Sequence, residues 1–330
     1  MENILVTGGA GYVGSVLVPE LLKRGYSVKV IDMMLYDPHS LDSVMGMDNF
    51  KLIAGDIRDR DKLKVALDDI DCVIHLAAIS NDPTCELDES ITKSVNYNSV
   101  GQLVKMAKKM GVERFINASS SSMYGIQSDE PAVETSPTKP LSLYARYKLE
   151  SEHFVNDASD DDFVTVNIRP ATICGYSPRQ RFDLSVNILT YHAYLYGTII
   201  VHGGQQRRPN ITIKDLVRLY VQLVTEDSKL INGETFNAGF ENLRIIEIAE
   251  RIQKLLSNER KIDIEITETY DHRDFLLSSE KLINTLNFKP LYTIEDAVLD
   301  IVQAFQDGRF PNPADPKYFN LKKMKLEDFK

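Results

Sequence analysis

The stretch "NILVTGGAGYVGSVLVPELLKRGYSVKVID", residues 3–32, decides the fold. An apolar run, Ile4–Val6, stops at glycines, and "GSVLVPELLKRG" then takes up helical spacing. A second apolar run, "YSVKVID", follows and ends on Asp32. Strand, glycine turn, helix and strand in this order make a βαβ unit, which implies parallel strands. Gly8, Gly11 and Gly14 form a GxxGxxG pattern at the turn. Gly8 permits the tight turn, and Gly11 lets backbone approach a pyrophosphate at the helix N-terminus, where unpaired N–H groups favour anions. Gly14 allows close packing of helix on strand.

The alternation continues outward from this unit. "FKLIAGD", "DCVIHLAA" and "RFINASS" are further apolar runs, separated by amphipathic stretches such as "RDKLKVAL" and "SVGQLVKMAKKM". The runs lack polar alternation, as strands covered on both faces should. The class is therefore α/β, with a Rossmann-type doubly wound parallel sheet. Residues 1–170 are read as the dinucleotide-binding domain, with some later segments returning to it. Residues 171–330 are read as a smaller C-terminal α/β lobe plus tail. In that lobe "FDLSVNILTYHAYL", "IKDLVRLYVQLV", "RIIEIAERIQKLL" and "TIEDAVLDIVQAF" predict helices, and "TIIVHGG" a strand. The tail, from Arg309, is rich in proline and lysine and reads as irregular.

Composition bounds the partners. The chain has 330 residues, 43% hydrophobic and 26% charged, which is ordinary for a globular protein. Its formal net charge of −10 argues against nucleic acid as a partner. No apolar run reaches membrane-spanning length, and the N-terminus lacks a signal-peptide pattern. Cys72, Cys85 and Cys174 show no regular spacing, which argues against a disulfide framework or structural zinc and fits the cytoplasm. Asp32, at the end of the second strand, can accept both ribose hydroxyls of NAD and would repel the 2′-phosphate of NADP. No arginine follows in "MMLYD" to offset that repulsion, so NAD is the expected cofactor.

A resemblance now becomes specific. "TGGAGYVGS", "GDIRD", "HLAA", "NASSSSMYG", "YARYK" and "IRPATICG" occur in the order and spacing of the extended short-chain dehydrogenase/reductase family. The sequence resembles the nucleotide-sugar epimerase and dehydratase branch, which includes UDP-galactose 4-epimerase. This resemblance implies that Tyr12, Val13, Asp56, Ile57, Leu76, Ala77, Ala78 and Asn98 line the cofactor together with Gly8, Gly11 and Asp32. It implies a catalytic trio of Ser120, Tyr144 and Lys148, the last also holding the nicotinamide ribose.

The chemistry of such a trio follows from its residue types. Free tyrosine has a pKa of about 10 and is a poor base near neutral pH. Lys148, one helical turn away, and the nicotinamide's positive charge are expected to lower it. Tyr144 then takes the proton of a sugar hydroxyl while Ser120 shares it. Tyr147, three residues on, shows that tyrosine also occurs on this helix without such a role.

The resemblance further implies that Asn187, Arg208 and Arg273 grip a nucleotide diphosphate, with Arg179, Arg181 and Arg207 as nearby candidates. Arginine suits this because its planar fork meets phosphate oxygens bidentately. Ser80, Asn81 and Asp82, in "ISNDPTCE", and Thr172, in "RPAT", are expected beside the sugar. His202 and His272 are lone histidines without a metal-ligand cluster and are read as structural or surface residues.

The reaction is narrowed by departures from the family. Its 4,6-dehydratases carry Asp-Glu after the catalytic hydroxyl, where this chain has Ser121 and Ser122. Its 3,5-epimerase/reductases use a cysteine and a histidine near the sugar, and "NASSSSMYG" has no cysteine. Oxidation at C4 remains. A nucleotide-sugar 4-epimerase is the leading expectation, with a 4-dehydrogenase releasing a 4-keto sugar as the alternative. A non-catalytic NAD-binding sensor is disfavoured by retention of Tyr144 and Lys148. The resemblance also implies a homodimer packed through the Tyr/Lys helix and the long helix before it.

Overall fold

A computed structural model describes residues 2–127, 129–258, 260–269 and 273–327. β1 (Asn3–Thr7) turns through glycines into α1 (Gly14–Lys23), followed by β2 (Ser27–Asp32), β3 (Phe50–Ala54), α2 (Arg60–Leu67) and β4 (Cys72–His75). Two short helices, α3 (Asp82–Cys85) and α4 (Glu89–Lys93), and a π turn over Ser94–Asn98 lead to α5 (Ser99–Lys109) and β5 (Arg114–Ala118). Then come α6 (Leu143–Ala158), β6 (Val164–Pro170), β7 (Thr172–Cys174), α7 (Ser185–Tyr196), β8 (Thr198–His202) and β9 (Arg207–Thr212). α8 (Ile213–Thr225), α9 (Ser228–Ile231), β10 (Glu234–Ala238), β11 (Glu241–Arg244) and α10 (Ile245–Leu256) follow. β12 (Asp263–Thr267), α11 (Glu280–Leu286), α12 (Ile294–Gln306) and α13 (Asn320–Met324) complete the order.

Local chemistry sets several boundaries. The Asp59 carboxylate accepts from the N–H groups of Asp61 and Lys62 and so starts α2. Ser142 accepts from the Ala145 N–H and starts α6, the helix of Tyr144 and Lys148. Thr293 and Asp296 make a reciprocal capping box at α12. Gly197, at φ +68°, ends α7 in the left-handed region.

Seven strands form one sheet in the order β10-β6-β5-β4-β1-β2-β3, every neighbouring pair parallel. The strands alternate between two cores. Ile4, Val6, Val28, Val30, Ile74 and Ile116 face α1 and α8, while Leu5, Ile31, Val73 and Phe115 face α2, α5 and α6. Both faces are covered, which is why the strands read as unbroken apolar runs. Strand order reverses at β1, flanked by β2 and β4, so a crevice opens at their C-terminal ends.

β10 rejoins this sheet beside β6 after the chain has left it. The remaining strands make a three-stranded sheet, β11-β9-β7, and a parallel pair, β12-β8. These carry a third core against α7, α10 and α12. The tail is more ordered than its proline-rich sequence suggests: a short turn over Pro316–Tyr318 and α13 dock onto a cluster of aromatic rings. Phe182 packs on Phe305, Phe310 and Tyr318, with centroids 5.5, 5.0 and 5.4 Å apart.

Candidate active site

The first cavity lies in the crevice at the ends of β1, β2 and β4. Gly8 sits at φ +71°, and a Cβ there would lie 2.7 Å from the Ala77 nitrogen. A Cβ on Gly14 would lie 2.5 Å from the Gly8 oxygen and the Gly9 Cα. Gly9, which the motif spacing did not single out, is closed by Val30 at 2.6 Å. This cradle, with the first turn of α1 behind it, fits a pyrophosphate. The Asp32 carboxylate is fixed by the N–H groups of Ala10 (3.0 Å) and Met34 (2.8 Å), and burial raises its pKa. Gly8, Gly11, Tyr12, Val13, Asp32, Asp56, Ile57, Leu76, Ala77 and Ala78 all line this cavity, as do Tyr144 and Lys148.

Asn98 does not. It is exposed at the end of the π turn. Asn96 takes the internal position instead, accepting from the Ile79 N–H (2.9 Å) and donating to the Ile79 carbonyl (2.8 Å). Residues two apart on a helical turn point in nearly opposite directions, so only one of the pair can face inward.

A second cavity, of about 830 Å³, opens beside the first. Tyr144 lines both. The Ser119–Ser120 pair divides between them, Ser119 on the first and Ser120 on the second. Ser120 caps the turn over Ser121–Tyr124: its Oγ accepts from the Ser122 N–H and lies 2.8 Å from the Ser122 Oγ.

The electrostatics of the trio differ from the sequence argument in one respect. Burial pushes the Tyr144 phenol up to about 12, reinforced by the Cys85 thiol and the Asp82 carboxylate. Ser120 and Arg181 pull it down. Lys148 is not among those groups: its ammonium donates to the Ala118 carbonyl at 2.7 Å, and burial brings its own pKa down to about 8. Protein groups alone therefore leave Tyr144 a weak base, because desolvation outweighs them. Tyr147 points elsewhere, its hydroxyl donating to Glu89 at 2.9 Å.

A buried polar scaffold supports α6 and the Ser120 turn. Arg169 forks onto Glu152 of α6 (2.9 and 2.7 Å) and donates to the Tyr124 hydroxyl (2.7 Å). Tyr124 in turn donates to Asn237 of β10 at 2.8 Å. These positions were not anticipated, because each role depends on partners far away in sequence.

Ser80, Asn81, Thr172, Arg208 and Arg273 line the second cavity, joined by Asp82 and Arg181. Asp82 pairs with Arg273 and accepts from Ser142 Oγ. Arg181 forks onto Asp183 (2.9 and 3.2 Å), and the Arg208 guanidinium donates to the carbonyls of Arg207 and Arg273. Asn187 is a correction. It is fully buried, donating to the Tyr12 hydroxyl and the Arg181 carbonyl and accepting from the Gly175 N–H. With its amide fully engaged it pins the second lobe to the glycine turn and does not line the second cavity. Arg207 lies outside as well, held by Asp274 and Asp129. Arg179 belongs to the first cavity, not the second.

His202 lines the second cavity together with His192. His272 lies outside the described residues. Among the described residues no group of His, Cys, Asp and Glu is arranged to hold a metal ion, and no helix is long and apolar enough to cross a membrane.

Comparison with known proteins gives consistent matches. The model of the NAD dependent epimerase/dehydratase family matches residues 4–239. A mouse dTDP-D-glucose 4,6-dehydratase is 27% identical, over 92% of this chain and 89% of its own length. A UDP-glucose 4-epimerase of Lactobacillus helveticus is 28% identical, over 90% and 94%. Among solved structures, UDP-glucuronic acid 4-epimerase from Bacillus cereus, in complex with UDP-glucuronic acid and NAD, aligns with a TM-score of 0.82 at 28% identity. That alignment covers 92% of this chain and 99% of the other.

Proposed function

The chain belongs to the NAD-dependent epimerase/dehydratase family of enzymes, and from that premise we propose that it inverts C4 of a nucleotide-diphosphate sugar. The observation that carries this reading is the position of Tyr144, whose side of α6 borders both the dinucleotide cradle and the second cavity. NAD, when bound, supplies a reversible two-electron acceptor for the hydrogen on the carbinol carbon.

The remaining work falls to the chain's own residues. Tyr144 takes the proton of the C4 hydroxyl at its phenol oxygen and gives it back on reduction. Ser120 Oγ hydrogen-bonds the same substrate oxygen. Lys148, anchored on Ala118, would hold the nicotinamide ribose, and the positive charge of bound NAD would act against the burial that raises the phenol pKa. Positioned proton transfer of this kind contributes about 10²–10⁴-fold. Gly8, Gly11, Tyr12, Val13 and Asp32 hold the dinucleotide. Arg208 and Arg273 offer forks suited to the substrate's diphosphate, and Ser80, Asn81 and Thr172 stand at the sugar.

Relatives of this chain include both epimerases and 4,6-dehydratases. Dehydration needs a further acid and base beside the trio, and Ser121 and Ser122 supply hydroxyls only. A homodimer packed through α5 and α6, in the cytoplasm, completes the reading; the three cysteines are free and buried.

The test is turnover of UDP-, GDP-, dTDP- and CDP-sugars, followed at 340 nm and by NMR of the sugar. A C4-inverted product without net NADH is expected. NADH accumulating with a 4-keto sugar would replace epimerase by dehydrogenase, and loss of water across C5 and C6 would make the protein a dehydratase.

A further inference from the structure

The loop between β7 and α7 runs back over the start of α1. Ser177 Oγ donates to the Tyr12 carbonyl (2.7 Å) and lies 2.8 Å from Ser15 Oγ. The Arg179 N–H donates to the same Ser15 hydroxyl at 3.3 Å. The backbone of Arg179 is thus fixed at the pyrophosphate end of the cradle. Its side chain enters the first cavity and is 2% exposed. The guanidinium lies 3.9 Å over the Tyr36 ring, and Nη2 donates to Asn320 Oδ1. Nε and Nη1, both buried, have no hydrogen-bond partner among the described residues.

Two carboxylates lie near enough to act on this cation, Asp183 and Asp32. Both are committed elsewhere. Asp183 receives Arg181, Asn81 and the Asn320 N–H, and Asp32 receives Ala10 and Met34. Burial lowers the Arg179 pKa to about 10, so the group is still charged at neutral pH. A buried cation with two unmet donors is unfavourable unless an anion completes it. The anion that suits a planar two-donor edge beside a glycine cradle is a phosphoryl group.

We propose that Arg179 is a cofactor-binding residue contributed by the second lobe, donating from Nε and Nη1 to the pyrophosphate oxygens of NAD while Asn320 holds its other edge. The inference rests on the NAD site described above and adds a contact that the glycine motif does not contain. Asn320 is itself anchored: its Nδ2 donates to Ser80 Oγ (2.8 Å) and its backbone N–H to Asp183. Met324, one helix turn further, lines the same cavity. The cofactor is thereby gripped from both lobes and by the C-terminal segment, which makes its release slow.

The test uses full-length wild type and Arg179→Ala, Arg179→Lys and Asn320→Ala. Calorimetry measures binding of NAD, NADP, ADP and adenosine, and chromatography measures NAD retained after desalting. Arg179→Ala is expected to weaken NAD and ADP about 10- to 100-fold, by the scale of a charge-assisted hydrogen bond, and to leave adenosine unchanged. Arg179→Lys should recover part of the loss, and Asn320→Ala should shorten NAD retention about 2- to 10-fold. If Arg179→Ala does not fold, the lysine and Asn320 variants carry the test. NAD affinities within twofold of wild type in all folded variants overturn the inference and leave the NAD site intact. A loss confined to NADP also overturns it, by assigning Arg179 to a 2′-phosphate. Wild type that binds no NAD refutes the underlying site as well, which distinguishes the two failures.

Discussion

Replacing Lys148 by methionine should stabilise the cofactor-free fold relative to wild type in a defined pH window while destroying activity. Lys148 is 4% exposed, and burial brings its pKa from 10.5 to about 8. The folded-state value lies below the unfolded one, so between pH 8 and 10.5 the unfolded chain binds more protons and stability rises with pH. The stabilising increment is fully present above about 10.5 and is lost as pH falls through about 8. The gap from 10.5 to about 8, at about 1.4 kcal/mol per pH unit, comes to about 3 kcal/mol. At pH 7 wild type therefore carries that burial cost and Lys148→Met does not. The variant also removes the donor to the Ala118 carbonyl, which costs about 1–3 kcal/mol at any pH. The clean readout is the difference between the two proteins across pH. Urea unfolding of both, free of cofactor, at pH 7 to 10.5 should show wild type gaining about 3 kcal/mol on the variant. Tyrosines titrating in the same range are common to both and cancel. A difference that stays flat within about 1 kcal/mol would refute the reasoning, since Lys148 could not then be a desolvated cation.

Three further predictions address the rest of the site. Tyr144→Phe should lower kcat by about 10²–10⁴-fold, remove the acid-side limb of the pH–rate profile, where rate rises as the phenol deprotonates, and leave calorimetric NAD affinity unchanged. Arg169→Met strands Glu152 in a buried position and should cost about 3–5 kcal/mol in urea unfolding, most of it recovered when Glu152→Leu is added. Gly14→Val places a Cβ 2.5 Å from backbone on the facing turn. It should cost about 1–3 kcal/mol of stability and lower NAD affinity at least tenfold by deforming the cradle.

Most of the first lobe was legible because its determinants are local. Two covered faces give unbroken apolar strands, and the glycine turn fixes where β1 ends and α1 begins. The second lobe was legible as helices and one strand, β8. β7 and β11 have three and four residues, too few to show a period. The return of β10 to the main sheet depends on β6, more than sixty residues earlier. The tail hid for a related reason. Tyr318 and Phe319 sit among prolines and lysines without periodicity, and their burial is set by Phe182 and Phe305.

The site divides along the same line, and its electrostatics show why. Residues inside compact motifs, such as Gly8, Tyr144 and Lys148, fall where the spacing put them. Asn98, Asn187 and Arg179 do not, because each position depends on a turn or loop whose path is a tertiary property. Arg179 is the instructive case. The sequence argument for NAD rested partly on finding no arginine in the residues after Asp32, yet the fold brings Arg179 over Tyr36 from the other lobe. Arg181 and Arg273, in the walls of the second cavity, each face an aspartate. Such pairing lowers the cost of holding a cation in a cavity whose substrate must enter and leave each cycle. In the first cavity Arg179 is backed by an amide and an aromatic ring instead. An epimerase keeps its cofactor through the cycle, and a cation whose nearby carboxylates, Asp183 and Asp32, are committed to other donors serves retention better than exchange.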